Sequence, residues 1–144
     1  MDLLARREHS FFELKAKLLK KDFNEDVISQ ELHRLVDDNL LDDSRFTESF
    51  LSFSMRKGKG PLRIESELQQ RGVSDDVVHR FLLAVDDHEW IRIATDVLKK
   101  KLGTAKQVDY DKKLKLMRFL SNRGFADFQV IKAISPFVSN VDDE

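Results

Sequence analysis

The stretch Lys57–Val73, KGKGPLRIESELQQRGV, leaves the backbone few choices. Gly58 and Gly60 interrupt whatever helix precedes them, and Pro61 follows at once. Proline suits the first position of a helix, where its missing N–H would have no partner in any case. Ile64 and Leu68 lie one helical step apart on one face, with Val73 just beyond. Gly72 stands where the helix should stop, at a position that wants a positive φ. This predicts a short amphipathic helix with a hard start, a hard stop and a cationic entrance made by Arg56, Lys57, Lys59, Arg63 and Arg71.

The pattern occurs three times. Leu14, Leu18, Phe23, Ile28 and Leu32 overlay Ile64, Leu68, Val73, Val78 and Leu82 at an offset of 50 residues. That set overlays Leu116, Leu120, Phe125, Val130 and Ile134 at an offset of 52. Gly72 and Gly124 correspond, while Asp22 takes the equivalent place in the first copy. Units of roughly 45–50 residues signal an array, and cores this small need their neighbours. The expectation is an all-α chain of three tandem three-helix repeats forming an elongated, curved array. The repeats span 1–41 (with a short first helix), 42–86 and 87–138, followed by an acidic tail at 139–144.

Local signals place the helices. Ser10 with Glu13 is a capping box ahead of a helix from Phe11 to Lys21. Asn24 caps the next, with Val27, Ile28, Leu32, Leu35 and Val36 as its buried stripe. Asn39 closes that helix, and Asp42 and Asp43 start another, with Phe46, Phe50 and Phe53 near one face. Ser74 caps a helix whose inner face is Val77, Val78, Phe81, Leu82 and Val85. The third set runs from about Asp87 through Trp90 to Gly103, then a polar connection over 104–109. Leu114, Leu116, Met117, Phe119 and Leu120 supply the next helix, and Phe128, Val130, Ile131 and Ile134 the last, bounded by Pro136.

Several chemistries find little support. With no cysteine, disulfides and thiolate metal sites are excluded. The four histidines, His9, His33, His79 and His88, lack metal-ligand spacing and are expected at solvated or boundary positions. The acid pairs Asp42–Asp43, Asp75–Asp76 and Asp86–Asp87 fall at helix starts, where capping and the helix dipole account for them. Neither phosphate-binding loop pattern occurs, and Gly58-Lys59-Gly60 is too short for a cradle. Catalytic residues, metal ligands and cofactors are therefore expected to be absent. No apolar run approaches the roughly 20 residues of a membrane span, and the N-terminus lacks a signal-peptide core. A soluble, cytoplasmic protein is expected.

The basic residues carry more. With 25 Lys+Arg against 26 Asp+Glu, bulk charge gives no attraction to polyanions, so recognition must come from local patches. Clusters stand at Arg6–Arg7, Lys20–Lys21, Arg56–Arg63, Lys99–Lys101 and Lys112–Lys115, away from the acidic helix starts. For any single lysine, solvation of a helix surface is sufficient reason. The cluster at 56–63 abuts a rigid Gly-Pro corner and could meet phosphate or an acidic protein groove.

Three ordered motifs resemble the RecX family of recombinase regulators. They are LLARREHS at 3–10 with Glu13-Leu14 and Lys17-Leu18, the run Leu41-Asp42-Asp43-Ser44-Arg45-Phe46, and KGKGPLRIESELQQRGV itself. Arg123-Gly124-Phe125 is a weaker third-repeat counterpart. Two departures stand out: a shorter first helix than the family's, and Asp22 in place of a glycine after Lys21. The resemblance implies a non-enzymatic negative regulator. It would bind in the groove of the RecA filament on single-stranded DNA and block filament extension. Strand exchange, ATP hydrolysis and coprotease activity would be inhibited.

Charge clustering together with the resemblance assigns the partner-binding face to Arg6, Arg7, Arg56, Lys57, Lys59, Arg63 and Arg71, with Lys99, Lys100 and Lys101 as weaker candidates. A monomer with weak direct DNA affinity is expected. The alternative is a direct DNA-binding protein built of helix-turn-helix-like modules.

Overall fold

Ser10 starts the first helix as its spacing to Glu13 predicts. Its Oγ accepts the Glu13 N–H at 3.0 Å. The computed structural model describes residues 9–21, 23–37, 41–104 and 107–138, and over these it is all-α. The helices are α1 (Phe11–Lys20), α2 (Glu25–Asp37), α3 (Asp43–Arg56), α4 (Pro61–Gln70), α5 (Asp75–Leu83), α6 (Asp87–Leu102), α7 (Tyr110–Asn122) and α8 (Asp127–Ile134). A 3₁₀ turn, Ser135–Phe137, follows. The predicted closing residue Asn39 and the tail 139–144 lie outside the described residues.

The chain forms two compact units. One comprises Met1–Phe53 with Glu65–Leu82, the other Ser54–Ile64 with Leu83–Glu144.

In the first unit α1 packs on α2 around Leu14, Leu18, Ile28, Leu32, Leu35 and Leu41, with Phe11 against their edge. Ile28, Leu32 and Leu35 fall at i, i+4 and i+7, the line that faces α1. Val27 and Val36 flank that line and are exposed, so the buried stripe is narrower than expected. On α3, Phe46 is buried but Phe53 is 52% exposed. Thr47 and Leu51, four residues apart, take the inward line instead. His9 is also buried rather than solvated, with Nε2 2.9 Å from the Lys17 ammonium.

Asp42 caps α3 through the N–H groups of Ser44 and Arg45, at 2.8 and 3.1 Å. Asp43 does something else: its Oδ1 accepts the Phe11 N–H at 2.7 Å, tying α3 to the start of α1. Burial pushes the Asp43 carboxyl above the ordinary aspartate range, partly offset by the Phe11 N–H and reinforced by the Asp42 charge. A raised folded-state pKa means that stability held with Asp43 neutral is lost as pH rises through that pKa. Asp43→Asn keeps an acceptor and discards the charge. Its melting temperature is expected to equal or exceed wild type at neutral pH, with the difference closing in acid. Asp43→Ala strands the Phe11 N–H and should cost about 1–3 kcal/mol. Thermal denaturation across pH checks both, and an Asn variant weaker at neutral pH would contradict the assignment.

In the second unit α6 and α7 both pack on α8. The core is Trp90, Ile93, Ala94, Leu98, Leu102, Leu116, Leu120, Phe125, Val130, Ala133 and Ile134. Phe128 and Ile131, expected inside, are 53% and 55% exposed. Val130, Ala133 and Ile134 define the inner line of α8, and positions 128 and 131 lie off it. The connection before α7 is not wholly polar: Val108 is buried, its N–H bonds the Phe137 carbonyl at 2.9 Å, and it bridges Val138.

The internal overlay holds in burial at every position except Phe23 and, in part, Leu82. Val73 and Phe125 are buried, but Phe23 is 51% exposed. Gly72 and Gly124 adopt φ of 81° and 101°. That turn lets the N–H of Val73 and of Phe125 reach the carbonyls of Leu68 and Leu120, at 3.2 and 3.3 Å. One position before these glycines the three copies agree: the N–H groups of Lys21, Arg71 and Arg123 bond back to the carbonyls of Leu18, Leu68 and Leu120, at 3.2, 3.1 and 3.1 Å.

Candidate partner-binding cleft

A joint of the same kind recurs in each unit. In the first, the Ser10 hydroxyl donates to the Arg71 carbonyl at 2.8 Å, and Gly72 lies against Phe12. In the second, the N–H of Gly60, the position equivalent to Ser10, donates to the Arg123 carbonyl at 2.8 Å. The Leu62 N–H donates to the Gly124 carbonyl at 2.9 Å. The N-terminal ends of α1 and α4 therefore each seat on an Arg-Gly corner, Arg71-Gly72 and Arg123-Gly124. Glycine is required by contact at 60, and by contact as well as by φ at 124. A methyl at position 60 would stand 2.4 Å from the Gly124 carbonyl carbon, and one at 124 would stand 2.3 Å from the Arg63 Cβ.

The two corner arginines serve these joints. Arg71 pairs with Glu13 and lies 4.8 Å over the Phe50 ring. Arg123 donates from Nε to the Gly58 carbonyl at 3.0 Å and from its terminal nitrogen to the Lys57 carbonyl at 2.6 Å. It thereby satisfies two carbonyls of the turn that follows α3.

Holding the turn after α3 in this way opens a cleft of about 700 Å³ within the second unit. One wall is Met55, Arg56, Lys57 and Gly58 at the end of α3. The second is a stripe of α6, contributing Arg92 and Ile93, Asp96 and Val97, then Lys100 and Lys101. The four-residue spacing puts these pairs on one helix face. Phe119 and Arg123 of α7 complete it. Ile93, Val97, Met55 and Phe119 supply apolar surface, and Lys101 and Arg123 lie 5.0 and 5.5 Å over the Phe119 ring.

The electrostatics are lopsided. Asp96 is the one carboxylate among the described lining residues, against six cationic side chains. Arg92 is already bound to Glu89 and, at 3.0 Å, to Asp96. Those hydrogen bonds hold Glu89 below the usual carboxylate range and raise Arg92 further. The lining is therefore cationic on balance. Lys99, Lys100 and Lys101 also sit in the last turn of α6, where the helix dipole favours positive charge.

Of the residues assigned from sequence, Arg56, Lys57, Lys100 and Lys101 come together in this cleft. Lys59, Arg63 and Lys99 stand outside its lining. Arg71 belongs to the first unit's joint, and Arg6 and Arg7 lie outside the described residues. Sequence reasoning missed Arg92, Asp96, Phe119 and Arg123. The repeated four-residue spacing on α6 and the overlay of Arg71 on Arg123 were the signals that could have found them. Among the described residues no group of His, Asp and Glu is arranged to hold a metal, and no helix is long and apolar enough to cross a membrane.

The fold is that of a helical-repeat protein, and its cleft gathers cationic side chains around an apolar floor. Comparison with known proteins identifies its family. Residues 1–35, 42–82 and 87–134 match the first, second and third three-helix domains of RecX. The chain is 36% identical over 142 residues to the regulatory protein RecX of Halorhodospira halophila, covering 99% of this chain and 86% of that one. It is 41% identical over 125 residues to the regulatory protein RecX of Pseudomonas syringae pv. tomato, covering 87% and 80%. The crystal structure of RecX from Lactobacillus salivarius superposes with a TM-score of 0.81 at 24% identity, over 93% of this chain and 88% of that one, and supports the fold. The chain belongs to the RecX family.

Proposed function

We propose that this chain is a negative regulator of the RecA recombinase, acting without catalysis of its own. It binds in the groove of the RecA filament on single-stranded DNA, blocks extension, and inhibits strand exchange, ATP hydrolysis and coprotease activity. The repeats 1–41, 42–86 and 87–138 act together as a cytoplasmic monomer, each repeat free to touch a different filament subunit. Weak contacts then combine through shared geometry, so the polymer is bound more tightly than a free subunit. The match to all three RecX domains, in order, carries this reading. The cationic cleft supports a charged contact surface on the second unit.

The test is RecA ATP hydrolysis on single-stranded DNA with and without the protein. Suppression that rises with protein concentration is expected. Unaltered hydrolysis at saturating protein would contradict the proposal.

A further inference from the structure

We infer that the cleft between the end of α3, the cationic stripe of α6 and Phe119 is a docking site for an acidic peptide segment of a protein partner that also carries aliphatic side chains. The inference deepens the regulator reading and rests on it only for which protein supplies the segment.

The backbone argues against a phosphate site. Such sites converge main-chain N–H groups on the anion. Here those of the turn are spent: Gly58 bonds the Met55 carbonyl at 2.9 Å, Lys59 bonds Ser54 at 3.1 Å, and Gly60 bonds Arg123 at 2.8 Å. The ring argues against a nucleobase. Stacking on single strands needs an open aromatic face, and Phe119 is attended by the Lys101 ammonium and the Arg123 guanidinium.

What the cleft offers is long cationic side chains around an apolar floor of Ile93, Val97 and Met55. Carboxylates spaced along a peptide can pair with Arg56, Lys57, Lys100 and Lys101 while an aliphatic side chain between them enters the floor. The volume of about 700 Å³ suits a few side chains rather than a folded surface.

The test uses the full chain with no recombinase present, so its outcome is independent of filament inhibition. A short fluorescent peptide alternating Asp or Glu with Leu is titrated by anisotropy beside an oligo-dT strand of equal charge. The peptide should bind more tightly than the oligonucleotide. Lys100→Glu with Lys101→Glu should weaken it by about tenfold or more while helicity is retained. A photo-crosslinker at the peptide's central leucine should label Met55, Val97 or Phe119 of the unmutated protein, which removes any dependence on variant folding. No peptide binding, tighter oligonucleotide binding lost in the same variant, or labelling confined to other surfaces would each overturn the inference.

Discussion

Alanine at position 124 is expected to destabilise the second unit by about 2–5 kcal/mol, from left-handed backbone strain and overpacking together. Gly124 has φ 101°, and an added methyl meets Arg63 at its Cβ, 2.3 Å, and at its backbone nitrogen, 2.6 Å. Neither group is the mobile end of a side chain, so the joint itself must open. Domains are held by about 5–15 kcal/mol in all, so this is a large fraction. Trp90 is the sole tryptophan and is buried in the second unit, so its fluorescence during urea denaturation reports that unit directly. Gly103→Ala is the control. Its φ of 63° also favours glycine, but nothing lies within 4 Å, and about 1–2 kcal/mol is expected. Equal losses at 103 and 124 would show that the joint contributes little.

The second large effect is on function. Lys57→Glu, Lys100→Glu and Lys101→Glu together should leave Trp90 fluorescence and helicity at wild-type values. The protein concentration that half-inhibits recombinase ATP hydrolysis should rise by about tenfold or more. Lys59→Glu with Arg63→Glu, close in sequence but outside the lining, should do less. Attraction between exposed charges weakens with salt, so the wild-type advantage should shrink as ionic strength rises. Equal inhibition by both variants would remove the cleft from the mechanism.

Helix starts were legible because capping is local: Ser10, Asn24 and Asp42 each bond an N–H two or three residues ahead. The repeat was legible because its buried positions keep one spacing through three copies. Errors fell where hydrophobicity and burial part company. Phe53, Phe128 and Ile131 are apolar but lie off the inner line of their helices. Asp43 read as a capping residue, and only the fold brings Phe11 to it across 32 positions. The cleft was half legible. Lys57 and Lys100 stood out as charge clusters, but their convergence depends on Arg123 gripping the turn from 65 and 66 residues away. Arg71 and Arg123 are corner residues whose partners are mostly carbonyls and carboxylates from another repeat, a relation no local pattern encodes.

Binding to recombinase-coated single-stranded DNA, measured beside binding to the same DNA naked, tests the central claim most directly. The account predicts tight association with the coated strand and weak association with the bare one. Tighter binding to bare DNA, with affinity falling steeply as salt rises, would contradict it and mark the chain as a DNA-binding protein in its own right.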